Sequence, residues 1–395
     1  MIITADRVIP GDGQEPLKGN GLLIEHGRIT KIGPAEELMR EYPHEEVQSY
    51  PGCSLLPGLI DLHTHIGYYY GENPEYEDNL MLRAYWIQKR MQKTLEAGVT
   101  TIRDVSSADN IGLTLKKACD MGFIQAPRIY TCLQGICMTG GHGYGMTGAV
   151  VEADGPLEIQ KAVRQQIRDG ADWIKVLTSE GYRGEEYSLE ELEILVAEAH
   201  RLGRKVAAHA GYGPSLDMCI QAGCDSIEHG THLTLEQAAL MRDTGKTWVP
   251  TMYAFFYVKD MLEKGGCTEG TLKENSRYVF DAVEAYRSSF RNLYHSGVCV
   301  AAGTDTDCLN APEASPVAKE CACMTECGIT PLEAITCASW NGAKTLGMGE
   351  ELGLLKAGYL ADILVTEGNP AEDITALEKV EAVYQGGKRS YQKQH

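Results

Sequence analysis

The chain has 395 residues, and its 36 basic against 55 acidic side chains give a formal net charge of −19. That balance argues against a nucleic-acid or anionic-membrane partner, whose phosphates it would repel. At 43% hydrophobic and 23% charged the composition is that of a globular protein. The opening MIITADRVIPGDG carries Asp6 and Arg7 where a signal peptide needs an apolar run. No apolar stretch reaches membrane-spanning length, so the expectation is a soluble, cytoplasmic protein. The 13 cysteines are odd in number and mostly scattered singly, which fits reduced thiols better than a disulfide framework. The cluster Cys321, Cys323 and Cys327 is read as small apolar residues on a helix ending at Gly328 rather than as a metal site.

Residues 1–57 read as short β segments with turns, and so do YLADILVTEGNP and VEAVYQGGKR near the C-terminus. Such pieces are too short to stand alone and are expected to combine into one small β-sandwich built from residues 1–57 and 349–395. Between them, over 58–348, eight apolar β-rich runs alternate with helical patterns. The runs are GLIDLHTH, VTTIRDV, RIYTCLQ, WIKVLTS, KVAAHA, DSIEHG, TWVPTMY and VCVAAGTDT. Ser188 with Glu191 predicts a capping box, and Gly98, Gly170 and Gly203 sit where helices should stop. This eightfold alternation predicts an α/β fold, a (β/α)8 TIM barrel.

Barrel active sites lie at the C-terminal ends of the strands, and metal-competent residues recur at those ends here. Strand one ends in His63 and His65, whose spacing of two puts both imidazoles on one face. Strand four carries Lys175, strand five His209, strand six His229 and strand eight Asp305. Any one of these reads as an ordinary core or surface residue; their convergence predicts a metal site. Lys175 lies in the apolar run WIKVL, where an ammonium is costly. A neutral amine there can react with carbon dioxide to give a carbamate able to bridge two cations. The alternative is a buried ion pair of Lys175 with Asp305 or Asp104.

Taken together, PGLIDLHTH, Lys175, AAHA, EHG and AAGTDTD resemble the amidohydrolase superfamily. The flanking LPGLID, SWNGAKTLGM, LGLLKAGYLADILV and GNP match it too, so the likeness spans nearly the whole chain. TTIRDV, TGGHGYG and VPTMY are similar to its prolidase-like subgroup of binuclear metallodipeptidases and carboxypeptidases, which neighbours imidazolonepropionase. The resemblance implies that His63, His65 and Asp305 hold one metal and that His209 and His229 hold a second. It also implies that carbamylated Lys175 bridges the two with a water or hydroxide. The cofactors expected are two divalent ions, with zinc favoured by nitrogen and carboxylate ligands. Asp305 is the natural general base.

On the substrate side, the resemblance places His142 and Tyr253 against a substrate carboxylate or a developing oxyanion. Arg103, with Asp104, ends strand two as a further donor or as part of a structural ion pair. Tyr68 begins a triple-tyrosine loop that either lines the pocket or packs at a subunit interface. The acidic run Glu72, Glu75, Glu77 and Asp78 reads as a solvated face. The expected activity is hydrolysis of amide bonds in small carboxylate-bearing molecules, dipeptides or N-acyl amino acids, by a symmetric homo-oligomer. An imidazolonepropionase-like cyclic-amide hydrolase, which uses one metal and lacks the strand-four lysine, is the alternative, as is a lactone or phosphoester hydrolase.

Overall fold

The computed structural model describes residues 1–67, 79–146, 148–182, 185–265, 275–306 and 316–394. Tyr68 and the acidic run at 72–78 lie outside the described residues. All eight apolar runs contain strands, and these pair in parallel. Leu59–Thr64, Val99–Asp104 and Arg128–Thr131 make a three-stranded sheet. Trp173–Leu177, Lys205–Ala210, Ser226–His229, Thr247–Val249 and Cys299–Val300 make five strands of a second, seven-stranded sheet. Its other two strands, Val150–Glu152 and Gly135–Cys137, lie at the edge beside Trp173–Leu177. The central strands are buried on both faces, as strands covered by crossover helices must be.

No ladder among the described residues joins the two sheets, but single backbone bonds cross both gaps. Asp172 N donates to Thr131 O (2.8 Å), while Leu62 N and Asp305 N donate to Ala302 O (3.0 Å) and His63 O (2.9 Å). The helices form where the sequence carries start and stop signals. Ser188 closes a capping box with Glu191 ahead of Leu189–Arg201. The Gly155–Asp169 helix ends on Gly170 at φ 114°, a left-handed residue that costs glycine little. The cysteine-bearing segment is the Val317–Glu326 helix, with Cys321, Cys323 and Cys327 free and buried. Burial pushes their thiols up, Cys327 to about 12, so these are packed, protonated side chains.

Strands from the two ends of the chain do combine, in one hydrogen-bonded sheet of eight strands. The reason is register. Ile2–Val8 pairs in parallel with Val47–Pro57, which pairs in turn with Ile363–Glu367, joining the ends edge to edge. Ile3, Leu22, Leu55, Val365 and Tyr384 share one core cluster of this sheet, and Ile2 and Leu23 pack with Leu38 of the Ala35–Glu41 helix in another. The sheet is tied to the parallel strands by the buried Asp362, which pairs with Arg128 at 2.9 Å. No helix among the described residues is long and apolar enough to cross a membrane.

Candidate metal centre

Leu59–Thr64 delivers His63 and His65, whose ring centroids lie 5.2 Å apart. His65 Nδ1 is 3.0 Å from the Ser106 carbonyl oxygen. A carbonyl only accepts, so Nδ1 carries the proton and Nε2 presents its lone pair. His63 Nδ1 donates in the same way to Glu228 Oε2 at 2.8 Å. Both Nε2 atoms face Asp305 Oδ1, at 3.6 Å from His63 and 3.3 Å from His65. The three side chains bring ligand atoms within 4.8 Å of one another. Asp305 reaches this position with a left-handed backbone, φ 51°, a strain held at a functional turn by the surrounding fold. Part of what holds it is Asp61, which accepts from the amides of His63 (3.1 Å) and Thr304 (3.0 Å) and from the Thr304 hydroxyl (2.6 Å).

Beneath the imidazoles lies a fully buried ion pair. Arg103 Nη2 contacts Glu228 Oε1 at 2.7 Å, its Nε donates to Leu62 O at 2.7 Å and its Nη1 to Ser226 Oγ at 3.0 Å. The guanidinium also stacks 4.6 Å from the Trp173 ring. Of the two readings of Arg103, further donor or structural ion pair, the structure shows an ion pair: the guanidinium is committed to Glu228, whose other oxygen fixes His63, and Arg103 is not among the described residues lining the cavity. Glu228 escaped the sequence reading. The signal was present, a carboxylate inside the apolar SIEH strand, the same anomaly that marked Lys175.

In the second predicted group, His209 and His229 have ring centroids 4.4 Å apart, and His229 lies 4.9 Å from His63. His229 Nδ1 is 2.8 Å from Thr251 Oγ1. Both residues adopt left-handed backbones, φ 68° at His229 and 50° at Thr251. The turn at Thr251 is braced from below by buried Glu320, which accepts from the amides of Met252 (2.9 Å) and Tyr253 (2.7 Å). Burial keeps these imidazoles neutral, pushing His229 down to about 4 and lowering His63 and His209 well below the usual range. Lys175 is 1% exposed, and burial lowers its pKa as well.

His63 Nε2, His229 Nε2 and Lys175 Nζ are all buried with no hydrogen-bond partner among the described residues. An orphaned buried polar atom costs about 1–3 kcal/mol, and three of them converging beside Asp305 fit a group that accepts their lone pairs. Lys175 bonds neither Asp305 nor Asp104. Asp104 instead accepts from the Ser107 and Thr131 hydroxyls and the Ile66 amide.

A cavity of about 240 Å³ opens over these ligands. His142 lines it with its ring 4.3 Å from His209, and its amide is held by Glu186 at 2.8 Å. Burial pushes the His142 imidazole down to about 4. Tyr253, expected beside it, is not among the described lining residues; it starts the Met252–Glu263 helix, and its ring lies 6.0 Å from Tyr257. The neighbouring Ala254, Phe255 and Val258 line the cavity in its place. A helix begins directly after Pro250-Thr251, so Tyr253 sits in its first turn rather than at an extended strand end.

Similarity to known proteins agrees with this geometry. The chain is 32% identical to ochratoxinase of Aspergillus niger over 98% of its own length and 86% of that protein. It is 25% identical to imidazolonepropionase of Aeromonas hydrophila over 90% of its length and 87% of the relative. Among solved structures, a Xaa-Pro dipeptidase with bound methionine in the active site superposes with a TM-score of 0.88 at 28% identity, covering 99% of each chain. The crystal structure of the Aspergillus niger ochratoxinase gives 0.84 at 28% identity, covering 98% of this chain and 94% of that one. The sequence profile of the amidohydrolase family matches residues 54–389, and the chain belongs to that family.

Proposed function

We propose that this protein is a binuclear, zinc-dependent hydrolase cleaving amide bonds of small carboxylate-bearing molecules, dipeptides or N-acyl amino acids. The observation that carries the reading is the convergence of orphaned His63 Nε2, His229 Nε2 and Lys175 Nζ beside Asp305. In this reading the single bonds across the sheet gaps close the (β/α)8 barrel. His63, His65 and Asp305 would hold one ion and His209 and His229 the other, with Lys175, as a carbamate, as a further anionic ligand. The carbamate forms when the neutral amine adds to carbon dioxide and releases a proton, a step that the buried site favours by disfavouring the ammonium.

When bound, the ions make water a nucleophile near neutral pH and polarise the scissile carbonyl. The chain's own residues do the rest. Asp305 accepts the proton of the attacking water and passes it to the leaving amine. Its Oδ1 is oriented by the first-strand imidazoles, and its Oδ2 lies on the His229 side at 3.8 Å. His142, neutral at pH 7, donates an N–H to the oxyanion or the substrate carboxylate. Glu228 and Thr251 hold the ligand imidazoles in register.

The test is turnover of a dipeptide and N-acyl amino-acid panel by the zinc-loaded protein. Hydrolysis of several members supports the reading. Activity confined to lactones, phosphoesters or imidazolone-type cyclic amides, with every linear amide inert, overturns it.

A further inference from the structure

The cavity is strongly asymmetric. On one side lie the ligands; on the other stand carbon surfaces from two helices, Met252–Glu263 and Ser276–His295. Ala254, Phe255 and Val258 come from the first, Tyr278 and Val279 from the second. Phe255 lies 6.0 Å from the His229 ring and 6.1 Å from the Tyr278 ring, both edge-on, so the apolar wall begins directly beside a ligand imidazole. The Tyr278 phenol turns its polar end away. Thr231 Oγ1 donates to Gly211 O (2.7 Å), so the Tyr278 hydroxyl, 2.8 Å off, donates to Thr231. A Cβ on Gly211 would overlap that hydroxyl, so the ring is seated tightly and shows only its carbon face to the cavity. Lys175 is the one cation among the described lining residues, and it is taken up by the metal site.

We propose that this wall is a subsite for a large apolar group, aromatic by preference, on one flank of the scissile amide. Phe255, Val258, Tyr278 and Val279 are its specificity determinants. The proposal rests on the amide-hydrolase reading and names its substrate class. An apolar cavity of ~150 Å³ already holds benzene, so about 240 Å³ takes a phenyl-bearing group together with the amide. Ring spacings of about 6 Å suit offset or edge-on contact with an incoming aromatic group. An anionic side chain there would lose its water with no free cation among the described lining residues to replace it.

Two substrate series, Xaa-Ala and Ala-Xaa with Xaa as Gly, Leu, Phe, Asp and Lys, are compared on the zinc-loaded full chain. In one series kcat/KM is expected to rise roughly ten- to hundredfold from Gly to Phe, with Asp at or below Gly. Phe255→Ala and the space-filling Val258→Phe should each bring the Phe-to-Gly ratio to within about threefold. Two variants of opposite size keep the test decisive if one folds poorly. Calorimetry with N-acetyl-phenylalanine against N-acetylglycine reads the subsite without turnover, and about tenfold tighter binding of the former is expected. Flat series together with equal binding overturn the subsite while amide turnover keeps the hydrolase reading. Tight N-acetyl-phenylalanine binding with no amide turned over supports the subsite and sinks that reading.

Discussion

Lys175 carries more of the account than any other residue, because nothing else explains a buried amine among imidazoles. Lys175→Ala is expected to lose bound metal and to lower turnover by at least about a thousandfold, with partial recovery in acetate, whose carboxylate can stand in for the carbamate. Glu228 makes a different prediction. Glu228→Gln keeps the shape but leaves the Arg103 guanidinium without its counter-charge, which costs about 3–5 kcal/mol when one partner of a buried pair is removed. It also loosens His63, for which roughly ten- to hundredfold weaker metal binding is expected. Urea denaturation and a competition titration read these two effects, and an unchanged result in both would remove Glu228 from its positioning role. Glu320 sets a pH dependence. Burial pushes its carboxyl up from 4.5 to about 8, against the opposing pull of two amide donors. Between those values the unfolded chain releases a proton that the folded protein keeps, so this group's contribution to stability falls as pH rises and is level above about 8. The stability of the wild type relative to Glu320→Gln should therefore decline from pH 4.5 to 8; a difference that stays constant with pH contradicts the assignment.

Elements place these residues through a few exacting turns. Gly230, which closes the EHG motif, has φ 52°, and a Cβ on it would lie 2.6 Å from the Trp248 indole nitrogen. That indole donates to the His229 carbonyl at 2.8 Å, so the glycine, the tryptophan and the ligand form one unit. Gly230→Ala should destabilise the fold by roughly 2 kcal/mol or more and displace His229. A thermal melt with metal analysis of the purified variant checks both. By contrast, Ser188→Ala removes only a capping hydroxyl remote from the ligands and should cost about 1 kcal/mol without changing turnover. The eight strands, and the convergence of His63, His65, Lys175, His209, His229 and Asp305 on one cavity, were legible because apolar runs, caps and glycine stops are local signals. Arg103 was legible only as two alternatives, donor or ion pair, and the helix start at Tyr253 was not legible, because each depends on a partner far along the chain, Glu228 for the first and Glu320 for the second. The joining of both termini into one sheet was half legible, since strand character is local and pairing register is not.

At the scale of the molecule, the −19 charge shapes what can enter. An acidic surface repels anionic substrates at long range, so turnover of carboxylate-bearing amides should rise with salt as screening shortens that repulsion to about a 10 Å Debye length or less. In the proposed reading metal would link the parts: the candidate ligands come from strands of both parallel sheets, so bound ions would stabilise the folded state as a whole, by mass action on a site the unfolded chain lacks.

The central claim is a two-metal site that includes Lys175, and metal stoichiometry tests it most directly. Protein purified with zinc and bicarbonate, desalted and analysed for metal alongside its activity, should hold about two ions per fully active chain, and Lys175→Ala should hold clearly fewer. One ion per chain at full activity, unchanged by Lys175→Ala, would contradict the account.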